Sequence, residues 1–487
     1  MSTLAAPSAL TGLLSLLLLG CAAVPTQRTP DLRDQAHALA SRRLDDPGLS
    51  AAEARFGLPA ASDATWTPDR ITVAAWYFDP ALAQARAAAT RAAADAAVAA
   101  QRRNPTLQLG TEKVFSGLSS GPPWTAGIAL LLPLLHPGEA AARRDIAAAD
   151  TAAARDQAAL ALWHSRTRVL AAMRATLLAR RSQALAETAV RDRQAYLQGV
   201  RQRVLAGADA RDVQLAAELE LQRAEAELAD RRAQRDAAQQ ALAAALGVPW
   251  PAVAEARLRW PNLDAPPAPA TLPSSALAQD AAWNRLDLAV LLAQYRASAA
   301  RLRLAAGTRF PALAVAPGYK YDQGARKFTF GLDVELPLFH GAGARIRAAA
   351  AARDEAAAAV RARQMTILNA LDAARVDYAE RYAAWQRMQA AAATARLAAE
   401  RARAQRSAGQ TSHGAEVSAR LVAATAALAA NDALSSTLTS LGQLEDVLQR
   451  PLWPATRLAS LPTAPFPAAA PPDASPPAAE SAHAHRS

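Results

Sequence analysis

The fold is decided by one short stretch, FTFGLDVEL at residues 328–336. Large apolar side chains alternate along it with small or polar ones, so that Thr329 and Asp333 fall on the face opposite the phenylalanines and leucines. Alternation with a period of two is typical of a β-strand that has one apolar and one polar face. About nine residues is also the length at which a tilted strand crosses a bilayer. The stretch therefore predicts a strand of a transmembrane β-barrel.

The preceding residues predict the partner of this strand. Apolar and aromatic side chains alternate with others from Leu313 to Tyr321, so residues 312–338 are predicted to form a β-hairpin. A second hairpin is predicted at residues 106–132, where two apolar runs flank a loop rich in Gly, Ser and Pro. In the later hairpin the aromatics gather near the turn, which is where an interfacial girdle of a barrel would lie.

The chain is an internal repeat. Three landmarks recur in order about 205 residues later: Leu82–Pro105 as Leu288–Pro311, PLLH at 133–136 as PLFH at 337–340, and Ala-Gly at 206–207 as Ala-Gly at 408–409. The agreement in order and spacing predicts two tandem structural repeats, residues 71–265 and 266–453, each a helix, a hairpin, a long helix and a final helix.

Long stretches without Pro and almost without Gly predict the helices of each repeat. In the first repeat these are residues 80–103, 139–205 and 210–246, and in the second they are 280–306, 344–407 and 413–448. At 1.5 Å per residue the long helices span about 100 Å, close to the sum of the two shorter helices in the same repeat. The lengths therefore predict a long helix lying beside two shorter ones stacked end to end.

The number of strands predicts an oligomer. Open sheet edges are not tolerated in lipid, and four strands cannot close a barrel wide enough to conduct, because barrels of about eight strands are already filled by side chains. We therefore expect several copies of the chain to contribute strands to one barrel.

The chain ends also carry signals. An apolar run, Leu10–Leu19, leads to Cys21, the only cysteine, so residues 1–20 resemble a bacterial lipoprotein signal peptide and Cys21 is the predicted site of acylation, palmitate included. The following residues 21–70 are predicted to be an irregular lead, since prolines interrupt them repeatedly. Residues 454–487 are rich in Pro, Ala and Ser and are predicted to be disordered.

The charge does not indicate nucleic-acid binding. The net charge is +11, but 51 arginines against three lysines indicate a compositional bias, and the arginines are interleaved with Asp and Glu at helical spacing. A nucleic-acid interface would instead concentrate them in a stripe or patch. We expect no nucleic-acid partner.

Four short segments, which occur in a fixed order along the two repeats, indicate a resemblance to a known family. They are DPAL at 79–82, RLDL at 285–288, FPAL at 310–313 and ELPLF at 335–339. From about Ile71 to Leu452 the sequence resembles the TolC-type outer membrane efflux proteins. That resemblance implies a homotrimer whose protomers each give four strands to a shared 12-stranded barrel. It also implies a periplasmic helical tunnel that reaches an adaptor (membrane fusion) protein and an inner-membrane pump.

The strand pattern predicts two site residues, and the family resemblance suggests three more. Asp333 and Glu335 lie on the polar face of the predicted strand and are expected to line the pore, because charge on a lipid-facing side is costly. Members of the family close the periplasmic tip with acidic residues after the second Ala-Gly turn, where Glu416 is the carboxylate that this chain offers. Asp209 and Asp212 of the first turn could supplement it. Alternatively, Glu416 supports the first turn of its helix through the helix dipole.

Other chemistry is weakly indicated. His136 and His340 occupy equivalent places and would bring six imidazoles near one ring in a trimer, which makes them weak candidates for Zn or Cu, with structural turn residues as the alternative. The GLSSG motif at 117–121 resembles a hydrolase elbow but falls in a hairpin loop without a partner His or Asp. We expect no enzyme activity and no cofactor.

Together these observations predict the outer-membrane channel of a tripartite efflux pump, lipid-anchored, with its tunnel in the periplasm. The cargo would be small molecules or metal ions, with the two histidines favouring metals slightly. Two alternatives stay open: a channel for type I polypeptide secretion built on the same fold, and a periplasmic coiled-coil adaptor or scaffold that never enters lipid.

Overall fold

The computed structural model describes residues 31–58, 65–113, 115–116, 122–134, 138–335 and 341–453, except for the side chains of 275–277. The chain divides into two units, one made of Met1–Arg42 with Ala470–Ser487 and the other of Arg43–Ala469. The described part of the first unit contains one helix, α1 (Leu32–Ala40), whose N-cap Asp31 accepts a hydrogen bond from the backbone N–H of Arg33 at 2.8 Å.

The second unit contains a helix–hairpin–helix–helix arrangement twice. Its first half holds α2 (Pro47–Arg55), β1 (Thr65–Trp66), α3 (Pro68–Phe78), α4 (Pro80–Ala99), β2 (Thr106–Lys113), β3 (Trp124–Leu134), α5 (Glu139–Leu205) and α6 (Arg211–Leu246). The second half holds α7 (Pro251–Ala254), β4 (Arg257–Leu258), a 3-10 turn (Pro269–Thr271), α8 (Ser275–Trp283), α9 (Leu286–Gly307), β5 (Leu313–Asp322), β6 (Ala325–Val334), α10 (Ala342–Ser407) and α11 (His413–Leu448).

The lead at residues 21–70 is not irregular where the structure describes it. It contains α1 and α2, and α3 begins at Pro68. Two of the prolines that suggested breaks, Pro47 and Pro68, stand at the first helical position, where the missing N–H costs nothing. The residue before each of these prolines caps the helix: Asp46 accepts from Gly48 N at 2.7 Å, and Thr67 accepts from Arg70 N at 3.4 Å.

The helix predicted at residues 280–306 is two helices, α8 and α9. The backbone of Arg285 is extended (φ −70°, ψ 143°), which ends one helix before the next begins. This conformation lets the buried Arg285 guanidinium donate hydrogen bonds to the carbonyls of Asp446 (3.2 Å) and Val447 at the end of α11, and to Asp287 at 2.8 Å. The last carbonyls of a helix have no partner within the helix and need such donors. The break at Arg285 therefore serves a tertiary contact with the end of α11, and the hydrophobic periodicity of the sequence does not reveal it.

The four strands of the two hairpins form one antiparallel sheet in the order β2-β3-β5-β6. Pairs such as Gly127 with Lys320 join the hairpins, so the two repeats share the sheet through β3 and β5. The turn between β5 and β6 has two residues, Gln323 (φ 50°) and Gly324 (φ 102°), and positive φ at both positions suits the right-handed twist of a hairpin. Strands β2 and β6 are left at the edges of the described sheet.

The long helices carry the rest of the fold. Helix α5 packs against α4, α6, α9 and α11, and α10 packs against α9 and α11. The main core lies where the N-terminal elements meet α5, and its fully buried Trp76 donates from Nε1 to the carbonyl of Leu162 at 3.0 Å. Tyr378 of α10 is also fully buried and donates to the carbonyl of Pro267 at 2.6 Å. Burial raises the pKa of the Tyr378 hydroxyl well above its usual value.

Among the described helices, α11 is the one that is long and apolar enough to cross a bilayer by length and composition. It nevertheless packs as a member of the helical bundle. Asn431 Nδ2 donates to the carbonyl of Leu178 on α5 at 3.2 Å, and Thr437 Oγ1 donates to the carbonyl of Arg381 on α10 at 3.0 Å. Its buried Leu434, Leu438 and Leu441 belong to the main core.

Candidate functional site

The sheet has two different faces, because side chains directly opposite each other on neighbouring strands point the same way. One face carries most of the large apolar side chains, which are largely exposed in the chain by itself. Its members are Leu107, Leu109, Trp124, Ile128, Leu130, Leu134, Leu313, Tyr319, Phe328, Phe330, Leu332 and Val334. We call this the apolar face and the opposite one the polar face.

Asp333 lies on the polar face, where it pairs in register with Ala314. The ladder continues one residue beyond β6, since the backbone N–H of Glu335 donates to the carbonyl of Ala312 at 3.0 Å. Glu335 therefore shares the polar face with Asp333, two residues away along the strand. The structure thus brings the two predicted pore residues together on the side opposite the phenylalanines.

The polar face also carries charges at its turn end that the sequence reasoning did not select. Lys327 Nζ lies 2.6 Å from Asp322 Oδ2, and Asp322 accepts a second hydrogen bond from Thr125 of β3 at 3.0 Å. Lys320 Nζ lies 3.9 Å from Glu112 of β2. The contacts of Thr125 with Asp322 and of Lys320 with Glu112 join the two hairpins, so a single-hairpin pattern could not show them. The polar face thus presents both signs of charge.

At the other end of the long helices, two glycine turns have the same geometry. Gly207 and Gly409 both have φ 71°, a left-handed conformation that glycine adopts without strain. In each turn the N–H after the glycine donates to a carbonyl five residues earlier, Ala208 to Arg203 and Gln410 to Gln405, both at 2.8 Å. This is a Schellman motif, which ends a helix by satisfying its last carbonyls.

Glu416 is not a free carboxylate. It lies in the first turn of α11, is 7% exposed, and forms ion pairs on both of its oxygens. Oε2 lies 3.4 Å from Nη1 of Arg406 on α10 and 3.6 Å from Nδ1 of His413, while Oε1 lies 3.4 Å from Nη1 of Arg420. The carboxylate thus joins the end of α10 to the start of α11 and sits where the helix dipole favours negative charge.

The two carboxylates predicted from the first turn have different surroundings. Asp209 Oδ2 accepts a hydrogen bond from Arg203 Nε at 2.8 Å, which closes the turn between α5 and α6. Asp212 is exposed in the first turn of α6. A Cβ built on Gly414 would lie 3.7 Å from Nη1 of Arg203, so the two turns are neighbours within one protomer. We call this region, residues 203–212 and 406–420, the helical tip.

A further ion pair, missed by the sequence reasoning, links the helical tip to α5. Arg420 Nε lies 3.2 Å from Oδ1 of Asp192, whose side chain is largely buried. The two residues are far apart in sequence, and each resembles the many other Arg and Asp residues on helix surfaces. Only the packing of α11 against α5 distinguishes them.

Comparison with known proteins agrees with this architecture. Residues 77–248, which cover α4 to the end of α6, match the sequence model of the family described as outer membrane efflux protein. The match covers most of the first repeat. The family is one of membrane channels and not of enzymes, and this confirms the resemblance drawn from the short motifs.

Solved structures extend the similarity over both repeats. VceC from Vibrio cholerae is 20% identical with a TM-score of 0.63, and the alignment covers 78% of this chain and 95% of that one. A membrane protein from Pseudomonas aeruginosa is 20% identical with a TM-score of 0.65, covering 88% and 97%. The Campylobacter jejuni CmeC outer membrane channel is 14% identical with a TM-score of 0.64, covering 87% and 93%. Over 78–88% of its length, the chain therefore has the same fold as these outer membrane proteins.

No curated protein matches the sequence. Three predicted site residues, Cys21, His136 and His340, lie outside the described residues, as do the predicted signal peptide (1–20) and the predicted disordered tail (454–487). Within the described ranges no cluster of three or more His, Cys, Asp or Glu side chains could hold a metal ion. The fold instead brings together two groups of the predicted residues, one on the polar face and one at the helical tip.

Proposed function

We propose that this chain is the outer-membrane channel of a tripartite efflux system, a passive exit duct that makes and breaks no covalent bonds. One observation carries the proposal: a four-stranded sheet with an apolar and a polar face, in a chain that also forms helices of 67 and 66 residues. A sheet packed on a soluble core would bury its apolar face, whereas here Phe328 is 75% and Leu109 72% exposed. Lipid is the environment that accepts such a face.

The sheet edges favour a shared barrel. Strands β2 and β6 each leave one row of backbone N–H and C=O groups without a partner strand in the described sheet. In lipid each unsatisfied group costs several kcal/mol, so the edges must pair with other copies of the chain. Three copies give 12 strands, the number implied by the family resemblance, with the polar face and its Asp333 and Glu335 lining the lumen.

The helices supply the route below the barrel. Helices α5 and α10 extend about 100 Å at 1.5 Å per residue, far more than a membrane thickness. We propose that they form a periplasmic tunnel whose helical tip meets an adaptor protein and an inner-membrane pump. Selectivity for the cargo, whether small molecules or metal ions, then resides mainly in that pump.

The helical tip is the proposed gate. Glu416, with Asp209 and Asp212, would bring carboxylates towards the axis of a trimer, but Arg406 and Arg420 already neutralise Glu416 within its own protomer. We therefore propose that Glu416 acts through the Arg network that ties α10, α11 and α5 together. Opening would break these ion pairs before it exposed the carboxylate.

Cys21 is the proposed lipid anchor. Acylation would place the start of the chain at the inner leaflet of the outer membrane, next to the helical tunnel. Incorporation of radiolabelled palmitate into the wild-type chain, and none into Cys21→Ser, tests this separately from channel formation.

Detergent-purified protein reconstituted into planar bilayers tests the main proposal. We expect a heat-sensitive trimer on gels and discrete conductance steps. Phe330→Arg places charge on the apolar face and should abolish membrane assembly, because arginine facing lipid costs ~2–4 kcal/mol at mid-membrane. Thr329→Arg places the same charge on the polar face and should preserve the trimer. Equal behaviour of the two variants would contradict the barrel.

Fractionation separates the alternatives. A periplasmic adaptor or scaffold would leave cells with the soluble periplasmic proteins and would remain monomeric without detergent, whereas a channel remains with the outer membrane. A polypeptide-secretion channel would share the conductance, and only the loss of a secreted protein on deletion of the chain would distinguish it from an efflux duct.

A further inference from the structure

In the described strands the apolar face carries two charged side chains, and both are cations at the turn end of the sheet. Lys113 is the last residue of β2 and shares the face with its register partner Trp124. Arg326 near the start of β6 shares the face with its partner Tyr321 and is exposed. Charge on a lipid-facing surface is expensive unless it reaches the headgroups or finds an opposite charge.

Among the residues that the structure describes, no carboxylate balances these cations on their own face. Glu112 and Asp322, the acidic residues at this end of the described strands, lie on the polar face, where they pair with Lys320 and Lys327. The sequence between β2 and β3, residues 114–123, contains no charged residue, and neither does the turn between β5 and β6. The cations of the polar face therefore have protein partners, and those of the apolar face do not within the described residues.

Aromatic rings hold one of the two cations at the surface. The Lys113 ammonium lies 5.2 Å from the ring centroid of Phe115 and 5.1 Å from that of Trp124. Cation–π contacts of this kind attract the charge to the ring faces and leave its hydrogen-bond donors free. Together with Tyr319, Tyr321 and Phe328, these rings resemble the aromatic girdle found where barrel strands leave the hydrocarbon.

We propose that Lys113 and Arg326 bind the phosphate groups of anionic lipid in the membrane leaflet at the turn end of the barrel. The inference rests on the proposed function, because it requires the apolar face to meet lipid. In a closed barrel the edge strands β2 and β6 become neighbours across the protomer boundary, so Lys113 of one copy and Arg326 of the next would lie on adjacent strands. Two cations at such a boundary favour an anionic partner that bridges them, and lipid phosphate is the anion that membranes supply.

The chain provides a matched control. Lys320 and Lys327 form a directly opposed pair in β5 and β6, one residue from Tyr321 and Arg326 along each strand. Lys113→Gln with Arg326→Gln removes two cations from the apolar face. Lys320→Gln with Lys327→Gln removes the same number, at nearly the same height, from the polar face. The two double variants therefore differ in the face that they alter and not in net charge.

The test uses full-length trimer reconstituted into phosphatidylcholine bilayers that contain spin-labelled phosphatidylglycerol or spin-labelled phosphatidylcholine. Electron spin resonance measures the fraction of each lipid that the protein immobilises. We expect wild type and the polar-face variant to prefer phosphatidylglycerol, and the apolar-face variant to lose about fivefold in relative association for each cation removed. Lys113→Arg should retain the preference, and added inorganic phosphate should not displace the lipid.

Three results would overturn the proposal. Equal loss in both double variants would show a long-range effect of net charge, and displacement by inorganic phosphate would show a site for the free anion. Immobilised lipid with no preference in the wild type would refute the phosphate site while leaving the barrel intact. Absence of immobilised lipid of either kind would instead refute the barrel, so the two failures are distinguishable.

Discussion

Arg420 Nε lies 3.2 Å from Asp192 Oδ1, and this ion pair joins the second turn of α11 to the C-terminal part of α5. The same guanidinium also lies 3.4 Å from Glu416. Arg420 therefore links two carboxylates on different helices at the helical tip. A movement that separates α11 from α5 must break at least one of these contacts.

Arg420→Ala should make the helical tip easier to open. The pair with Asp192 is partly exposed, and such pairs contribute up to about 1 kcal/mol, which corresponds to a change of about fivefold in the open population. We expect a rise of up to that size in open probability in planar bilayers. Arg396→Ala is the control, because Arg396 pairs with Glu400 on the exposed surface of α10. Equal open probability for Arg420→Ala and wild type would contradict the role of this pair.

Asp287 should make the stability of the contact between α9 and α10 sensitive to acid. Burial alone would raise its pKa, but hydrogen bonds from Arg285 and from Arg363 of α10 outweigh burial and lower the pKa to about 2. A depressed pKa contributes stability that is fully present above the ordinary value of 3.8 and is lost as the pH falls towards 2. Asp287→Asn should therefore lower Tm at pH near 7, with the difference from wild type shrinking between about pH 4 and pH 2.

Circular dichroism of the detergent-solubilised chain at a series of pH values measures this effect. Asp354→Asn is the control, since Asp354 is an exposed carboxylate paired with its neighbour Arg353 on the same helix, α10. A Tm difference for Asp287→Asn that persists unchanged at pH near 2 would mean that the ionised carboxylate is not the stabilising group.

Cysteine labelling tests the register of β6. Leu332 is 59% exposed on the apolar face, and Asp333 lies on the polar face beside it in the chain. In membranes, a water-soluble maleimide should label Asp333→Cys and leave Leu332→Cys largely unmodified, because only the lumen contains water. Labelling of the unsubstituted chain measures any background signal from Cys21. Labelling at 332 with none at 333 would reverse the assignment of the two faces.

Gly318→Ala should damage the sheet at the junction of the two repeats. A Cβ at this position would lie 2.8 Å from the carbonyl oxygen of Ile128 and 2.7 Å from Oγ1 of Thr329, closer than side chains pack. Overpacking of this kind costs about 1–3 kcal/mol, so the heat-resistant trimer should melt at a lower temperature on gels. Gly127→Ala is the matched control, since its Cβ would meet Lys320 at an ordinary 3.7 Å. A normal melting temperature for Gly318→Ala would show that β3 and β5 are spaced more widely.

Much of the framework could be predicted because its signals are local. Glycine-containing turns at Gly207 and Gly409 mark the ends of the long helices, since few other residues adopt φ near 71°. Alternation along β6 indicates its two faces, because successive side chains on a strand point to opposite sides. The break at Arg285 escaped prediction, since its cause is a set of carbonyls about 160 residues away at the end of α11. The helices within residues 21–70 escaped for a different reason: proline is read as a breaker, but it also starts helices.

The sequence by itself determined the repeat, the strand faces and the lengths of the two longest helices, because each depends on residues that are close along the chain. Only the tertiary structure decided which charges are paired. It showed Glu416 held by Arg406 and Arg420, and the cations of the polar face held by Glu112 and Asp322, while Lys113 and Arg326 lie on the apolar face without a carboxylate among the described residues. The physical reason is that an ion pair depends on distance in space, and in a chain of long antiparallel helices and paired strands, neighbours in space are distant in sequence.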